Sequence, residues 1–323
     1  AALLLPLVAL GGCATLDEFL SSIGGEKAEP PVPLEDRPVL DALNPNSFEL
    51  LTPDQSVVGE PQVVFARDTD TLSDLAREYG LGYDEIIAAN PGVDPWLPGE
   101  GTPVVLPTQY VLPNVAYTGI VLNIATKRLF YFPQAGNGEA RYVLTYPIGI
   151  GRVGWETPLG KTEVVAKAKH PHWWVPASVR REHAEMGDPL PNVVPPGPDN
   201  PLGHRVLKLE MPGYLIHGTN QPYGVGMRVS HGCVRLYPEN IEVLYELVAA
   251  GEAVAIINEP YQFGRRDGAV YFEAHPPLED DEISPEERLA GLLVEQVDAS
   301  GTPLNEHLGA HVRTLVDNPP VSY

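Results

Sequence analysis

Apolar positions along the chain fall into three regimes. Between Ala14 and Gly59 they keep no sustained period and are diluted by Pro, Glu and Ser, which predicts a flexible tether over 14–59. A compact block follows. The sequence predicts a strand at 62–65, helices at 71–79 and 83–90, and a closing strand at 104–106, with Leu72, Leu75 and Ala76 on one helical face. Thr71 and Asp84 supply N-caps, Gly80 ends the first helix and Asn90-Pro91 ends the second. From Tyr117 the pattern changes to short apolar runs parted by turns, predicting strands at 120–124, 128–132, 142–146, 162–165, 206–209 and 214–217. One well-marked helix is predicted at 239–249: Pro238 stands at its entry, Ile241, Leu244 and Leu247 share a face, and Gly251 stands at its exit. A buried strand at 253–257 comes next. Beyond 260 the pattern thins to a strand at 269–273 and a helix at 285–297, in an acidic stretch read as a solvated tail.

This organisation predicts a multidomain protein: a small βααβ module at 60–108, then a mostly antiparallel, β-rich domain at 117–259, then an extension at 260–323. A chain of 323 residues is long enough for both units. The net charge of −22 argues against a nucleic-acid surface, because phosphate binding needs clustered Lys and Arg. There are two cysteines, Cys13 and Cys233, too few and too far apart for a disulfide framework. The opening run AALLLPLVALGGC is too short to cross a bilayer as a helix of about 20 residues. It reads as the end of a signal peptide spanning 1–13, and Leu10-Gly11-Gly12-Cys13 looks like a lipobox, making Cys13 the candidate for lipidation. Membrane contact is then expected through a lipid anchor alone. Ala14, not Asp, follows the cysteine, which favours outer-membrane sorting and a periplasmic location.

The residues able to do chemistry gather in two short stretches. In Ser230-His-Gly-Cys-Val-Arg-Leu236, Cys233 lies between a glycine and an apolar run. A thiol nucleophile needs a base or positive charge nearby and room for a carbonyl to approach, and Gly232 provides the room. Sixteen residues upstream, His217 ends the apolar strand Tyr-Leu-Ile and precedes Gly218-Thr-Asn220. The turn-rich segment 221–226 is suited to fold the cysteine back beside it. Asn220 and Tyr223 are candidates for lining a cleft, with simple turn chemistry as the alternative.

HGTN followed by SHGCVRL resembles the signature of the L,D-transpeptidase catalytic domain, also called the YkuD domain. The stretches Ile148-Gly-Ile-Gly151, Thr157-Pro-Leu-Gly160, 195–203 and 269–275 fit the same pattern, and the block at 60–108 resembles a LysM module. Together they are similar to the enterobacterial branch that links murein to itself and to Braun's lipoprotein. The resemblance implies Cys233 as nucleophile, His217 as general base and acid, and the Gly218 carbonyl as the group orienting the imidazole. It implies an oxyanion site from the amides of His231, Gly232 and Cys233, and Ser230, Arg235, Asn220 and Tyr223 as substrate-binding residues; for Arg235 a structural ion pair is an equal reading. The implied partners are peptidoglycan stem peptides and glycan strands, with a Braun-type lipoprotein as a further acceptor. No cofactor or metal is implied. Three alternatives stay open: a carboxypeptidase or hydrolase using the same site, a zinc site built from His204, His217, His231 and Cys233, and a non-catalytic wall-binding lipoprotein.

Overall fold

The computed structural model describes residues 5–6, 46–135 and 140–295. Cys13 and the lipobox lie outside the described residues.

At the centre is a nine-stranded sheet. Its strands, in chain order, are β1 (Ser47–Leu50), β6 (Gly119–Asn123), β7 (Arg128–Phe132), β8 (Arg141–Pro147), β10 (Gly160–Lys169), β13 (Arg205–Leu209), β14 (Leu215–His217), β16 (Val234–Arg235) and β17 (Ala253–Ile257). Across the sheet the order is β16-β14-β13-β10-β17-β6-β7-β8-β1. The pairings β17–β6 and β14–β16 are parallel and the rest antiparallel. The ten-residue β10 joins the halves: residues 160–163 pair with β17, and beyond a register shift near Val164 the strand pairs with β13.

Strands β6 and β7 are apolar on both faces because both faces are covered. Ile120, Leu122, Leu129 and Tyr131 join one core with Leu236, Ile241, Leu244 and Val248 from around helix α4 (Pro238–Leu247). On the opposite face Val121, Phe130, Phe132 and Val143 join a second core with Leu72, Leu75, Leu81, Ile86, Val104 and Leu106 of the small block. That block has the expected order, β3 (Gln62–Phe65), α1 (Leu72–Glu78), α2 (Tyr83–Ala89) and β4 (Pro103–Leu106), with β3 and β4 antiparallel. Thr71 caps α1 in a capping box with Asp74. The expected cap Asp84 is instead inside α2, paired with Lys127, and Gly82 is the N-cap.

The shared core means that block and β-rich domain pack as one body. Polar contacts reinforce the seam: Arg77 makes a bidentate bond to Glu239 at 2.8 and 2.9 Å, Tyr237 donates to the Leu81 carbonyl, and Arg128 pairs with Glu85 at 2.5 Å while lying 4.0 Å from the Tyr110 ring centre. Arg128 is buried, and the Glu85 side chain is 9% exposed. Replacing Glu85 with alanine leaves a guanidinium without its counter-charge in a dry seam, so a loss of about 3–5 kcal/mol is expected, read as a fall in the urea midpoint.

Two boundaries differ from the sequence reading. The tether expected over 14–59 ends earlier than its composition implies: β1 adds to the sheet edge beside β8, and β2 (Val57–Gly59) pairs with β5 (Gln109–Val111). The extension after 259 begins with a hairpin, β18 (Tyr261–Arg266) and β19 (Ala269–Ala274), that belongs to the folded body. Gln262 bonds Asn123 and the Val111 carbonyl, and Glu273 accepts the Val111 amide. A last helix, α5 (Pro285–Glu295), packs Leu289 on that hairpin.

Between β10 and β13 the chain makes an excursion over 170–204 that no apolar periodicity announced. It contains β11 (Trp173–Trp174), helix α3 (Ala177–Glu185) and β12 (Val193–Val194), with β11 and β12 paired. Buried Asn200 ties it together, donating to the Pro171 and Pro195 carbonyls and accepting the Leu202 amide.

Candidate active site

Strand β14 carries His217 at its end, and β16 begins one residue after Cys233. The two strands pair in parallel with Ile216 opposite Val234 and His217 opposite Arg235. Ile216 and Val234 are fully buried in the core. Side-chain alternation therefore puts His217, Arg235 and Cys233 together on the other face. His217 and Cys233 are one strand across and two residues along, about 8 Å between Cα atoms at ordinary strand spacings. A thiol and an imidazole can span that distance.

His217 is buried, and its Nδ1–H donates to the Gly218 carbonyl at 2.5 Å. That bond fixes the tautomer and leaves Nε2 as the acceptor. Burial, assisted by the positive charge of Arg235, pushes the imidazole pKa down to about 3 against the opposing pull of the Gly218 carbonyl. The ring is thus neutral at physiological pH.

Burial pushes the Cys233 thiol up from its ordinary value, with a backbone hydrogen bond from Leu215 and the charge of Arg235 opposing. Its Sγ–H donates to the Gly213 carbonyl at 3.6 Å. In this geometry the thiol proton is directed at Gly213 and not at His217. The resting state is therefore a neutral thiol and a neutral imidazole on the same face of the sheet.

The turn that presents the thiol is held from within. Ser230 Oγ donates to the Cys233 carbonyl at 2.6 Å and accepts the Gly232 amide at 3.1 Å. Buried Thr157 donates to the Gly232 carbonyl at 2.9 Å. Gly232 has φ +100, which favours glycine, and a Cβ there would stand 3.0 Å from the Tyr214 ring. Gly203, at φ +67, closes the excursion against the backbone of Gly218 and Thr219, where a Cβ would come within 2.8 Å of the Thr219 nitrogen. The carbonyl that orients His217 is thereby braced from behind.

Residues 117–256 match the family model described as the L,D-transpeptidase catalytic domain. The chain is 42% identical over 240 residues to the probable L,D-transpeptidase YbiS of Escherichia coli K12, covering 73% of this chain and 77% of that protein. It is 40% identical over 241 residues to the probable L,D-transpeptidase YcfS of the same organism, covering 73% and 74%. Against the probable L,D-transpeptidase ErfK/SrfK of Salmonella typhimurium LT2 it is 40% identical over 236 residues, covering 72% and 75%. The chain belongs to the L,D-transpeptidase family.

In this L,D-transpeptidase the other residues expected at the site are placed unevenly. Ser230 is buried and spends its hydroxyl on the motif's own backbone, so it shapes the turn instead of meeting substrate. The Gly232 amide donates to that same hydroxyl at 3.1 Å. His231 projects away from the core to the excursion, where its Nε2 lies 2.7 Å from Glu182 of α3 and 3.1 Å from Arg152, with Trp155 edge-on to the ring at 4.8 Å. Burial lowers the His231 pKa, with Glu182 opposing.

Arg235 lies behind the thiol, its Nε buried without a hydrogen bond, and its guanidinium makes no ion pair with a carboxylate among the described residues. Asn220 is exposed beside the His217 turn. Tyr223 is exposed on the 3-10 turn Pro222–Gly224 and stands on the side that meets α1: Arg77, whose pKa is raised first by Glu239, also feels the Tyr223 phenol. His204 sits by Glu242 and His231 by Glu182, and among the described residues no three His, Cys, Asp or Glu side chains converge as metal ligands. Sequence reasoning named Thr157 only within a stretch that fits the family pattern, and missed Arg152 and Glu182.

Proposed function

We propose that this L,D-transpeptidase acts on peptidoglycan stem peptides through a thioester on Cys233. The observation that carries the reading is the parallel β14–β16 register, which puts the thiol and a tautomer-fixed imidazole on one face of the sheet. Cys233 turns from Gly213 and gives its proton to His217 Nε2 as Sγ attacks the carbonyl of the third stem residue. The bond to the terminal D-Ala breaks, and His217 returns the proton to the departing amine. An acceptor amine then attacks the thioester, His217 takes its proton, the carbon–sulfur bond breaks, and the thiol is restored. With the Gly232 amide occupied, the amides of His231 and Cys233 serve the oxyanion. Arg235, cationic and without a carboxylate partner among the described residues, is suited to a substrate carboxylate.

The acceptor defines the product. The side-chain amine of a second diaminopimelate gives a 3-3 cross-link, and a lipoprotein lysine gives an anchored protein. Similarity to the YbiS, YcfS and ErfK/SrfK group supports these transfers ahead of hydrolysis. The block at 60–108 is proposed as a LysM module that holds glycan strands beside the site. Export to the periplasm with a lipid on Cys13 and sorting to the outer membrane complete the reading.

Incubating the protein with disaccharide-tetrapeptide, without and with a lipoprotein C-terminal peptide, is expected to yield cross-linked dimers in the first case and a peptide adduct in the second, each identified by mass. Release of D-Ala with tripeptide alone makes the protein a carboxypeptidase.

A further inference from the structure

Helix α3 reaches the catalytic turn through the carboxylate of Glu182, with the His183 ring 6.1 Å from that of His231. Glu182 contacts His231 Nε2 at 2.7 Å with one oxygen and pairs with Arg152 through the other. A carboxylate only accepts, so the His231 Nε2 carries a proton and donates it to Glu182. His231 is two residues from the nucleophile and adjoins Gly232, whose amide and carbonyl are both fixed by hydrogen bonds. Arg152 comes from the neighbouring loop: its amide donates to the Ser230 carbonyl, and its carbonyl accepts the amide of Trp155, the residue packed on the His231 ring. The two polypeptide segments that frame Cys233 thus meet at one side chain, supplied by an excursion whose helix buries only Val179.

We propose that Glu182 is a positioning residue for the transpeptidation site. By holding His231 and Arg152 together it sets the orientation of the 230–233 turn, and docking of α3 becomes a condition for presenting the thiol and the oxyanion amides correctly. The proposal rests on the cysteine reading above. Its geometry is local: the helix is otherwise tethered through Asn200 and the β11–β12 pairing, so removing the carboxylate charge loosens the turn without unfolding the excursion.

The isosteric Glu182→Gln variant is expected to lose about 10- to 100-fold in kcat on disaccharide-tetrapeptide while KM changes little, the pattern of a misoriented reacting group. His231→Gln should show the same split. Because Glu182 acts through His231, the double variant should be no slower than the slower single variant. Hydrogen exchange over 177–185 should rise in Glu182→Gln with the thermal midpoint unchanged. Wild-type kcat in Glu182→Gln, or additive losses in the double variant, overturns the proposal. So does a rise in kcat, which would mean that the Glu182 carboxylate blocks a seat used by a substrate carboxylate. Intact mass after carbapenem treatment separates the two readings: an adduct on Cys233 in Glu182→Gln keeps the cysteine reading whatever the fate of Glu182, and an unmodified wild type fails the cysteine reading itself.

Discussion

Replacing Cys233 with alanine is expected to lower cross-linking of a tetrapeptide donor by on the order of 10⁴-fold or more, since the covalent route is closed and nothing nearby replaces it. Cys233 is the free cysteine of the described residues, and the groups acting on its thiol are the Gly213 carbonyl, the Leu215 backbone and the charge of Arg235. The fold should survive: Cys233 is half-buried, and the turn is held by the hydroxyls of Ser230 and Thr157 and not by the sulfur. Far-UV circular dichroism and the thermal midpoint should therefore match the wild type. A carbapenem offers a reactive amide carbonyl to the same thiol, so intact-mass analysis should show one adduct in the wild type and none in the variant. Simple alkylation makes a contrasting case. Burial holds the thiol above its ordinary range, so iodoacetamide should react slowly near pH 7 and speed up only in alkaline solution. Fast acylation with slow alkylation is the mark of a thiol activated by proton transfer during attack. Turnover by Cys233→Ala at the wild-type rate would end the mechanism.

What the sequence made legible follows physical lines. The thiol and the imidazole stood out because each adjoins glycine and because a strand runs into His217; the register that unites them needed only the short turn-rich link between. The strand-helix-helix-strand order of 62–106 was readable because Leu72, Leu75 and Ala76 repeat at helical spacing. Helix α3 was not readable: a helix with one buried residue has no apolar stripe to detect, and its order comes from Asn200, Trp173 and contacts far away in the chain. Strands β11, β12 and β16 are two residues long, too short for any period. The edge strand β1 sits in Pro- and Glu-rich sequence, where composition points away from order while four backbone pairings to β8 impose it. Ser230 and Gly232 illustrate a different limit. Residue type announced a hydroxyl and an amide near the nucleophile, but whether those groups face substrate or each other depends on which neighbours have already taken their hydrogen bonds. Glu182 lies 49 positions from its partner His231, in a stretch with nothing but charge to mark it.

His217→Gln should be nearly as damaging as loss of the thiol, with turnover down about 10²- to 10⁴-fold, the usual worth of a positioned general base. Glutamine fills much of the buried space and can still donate to the Gly218 carbonyl, so the loss reports proton transfer more than packing. The pH profile tests the same residue without a mutation. With a folded-state pKa of about 3, the imidazole is neutral through the range where an ordinary histidine titrates. Wild-type kcat/KM should then run flat from about pH 5 to 7, with no inflection near the reference value of about 6.5. An acid limb near 6.5 would move the base role to another group. His231 is poorly placed to inherit it, because its ring is held against Glu182 and Arg152 on the side of the excursion. Stability carries a matching signature. An imidazole that titrates lower in the folded than in the unfolded chain leaves the unfolded chain binding more protons between the two values. The stabilisation is complete above about 6.5 and is lost as the pH falls from there toward about 3. Urea midpoints of His217→Gln should therefore fall less steeply with acid than those of the wild type, since glutamine has no proton to bind. Equal slopes for the two proteins would mean that the imidazole is not held neutral by burial, and the base assigned to it would have to be sought elsewhere.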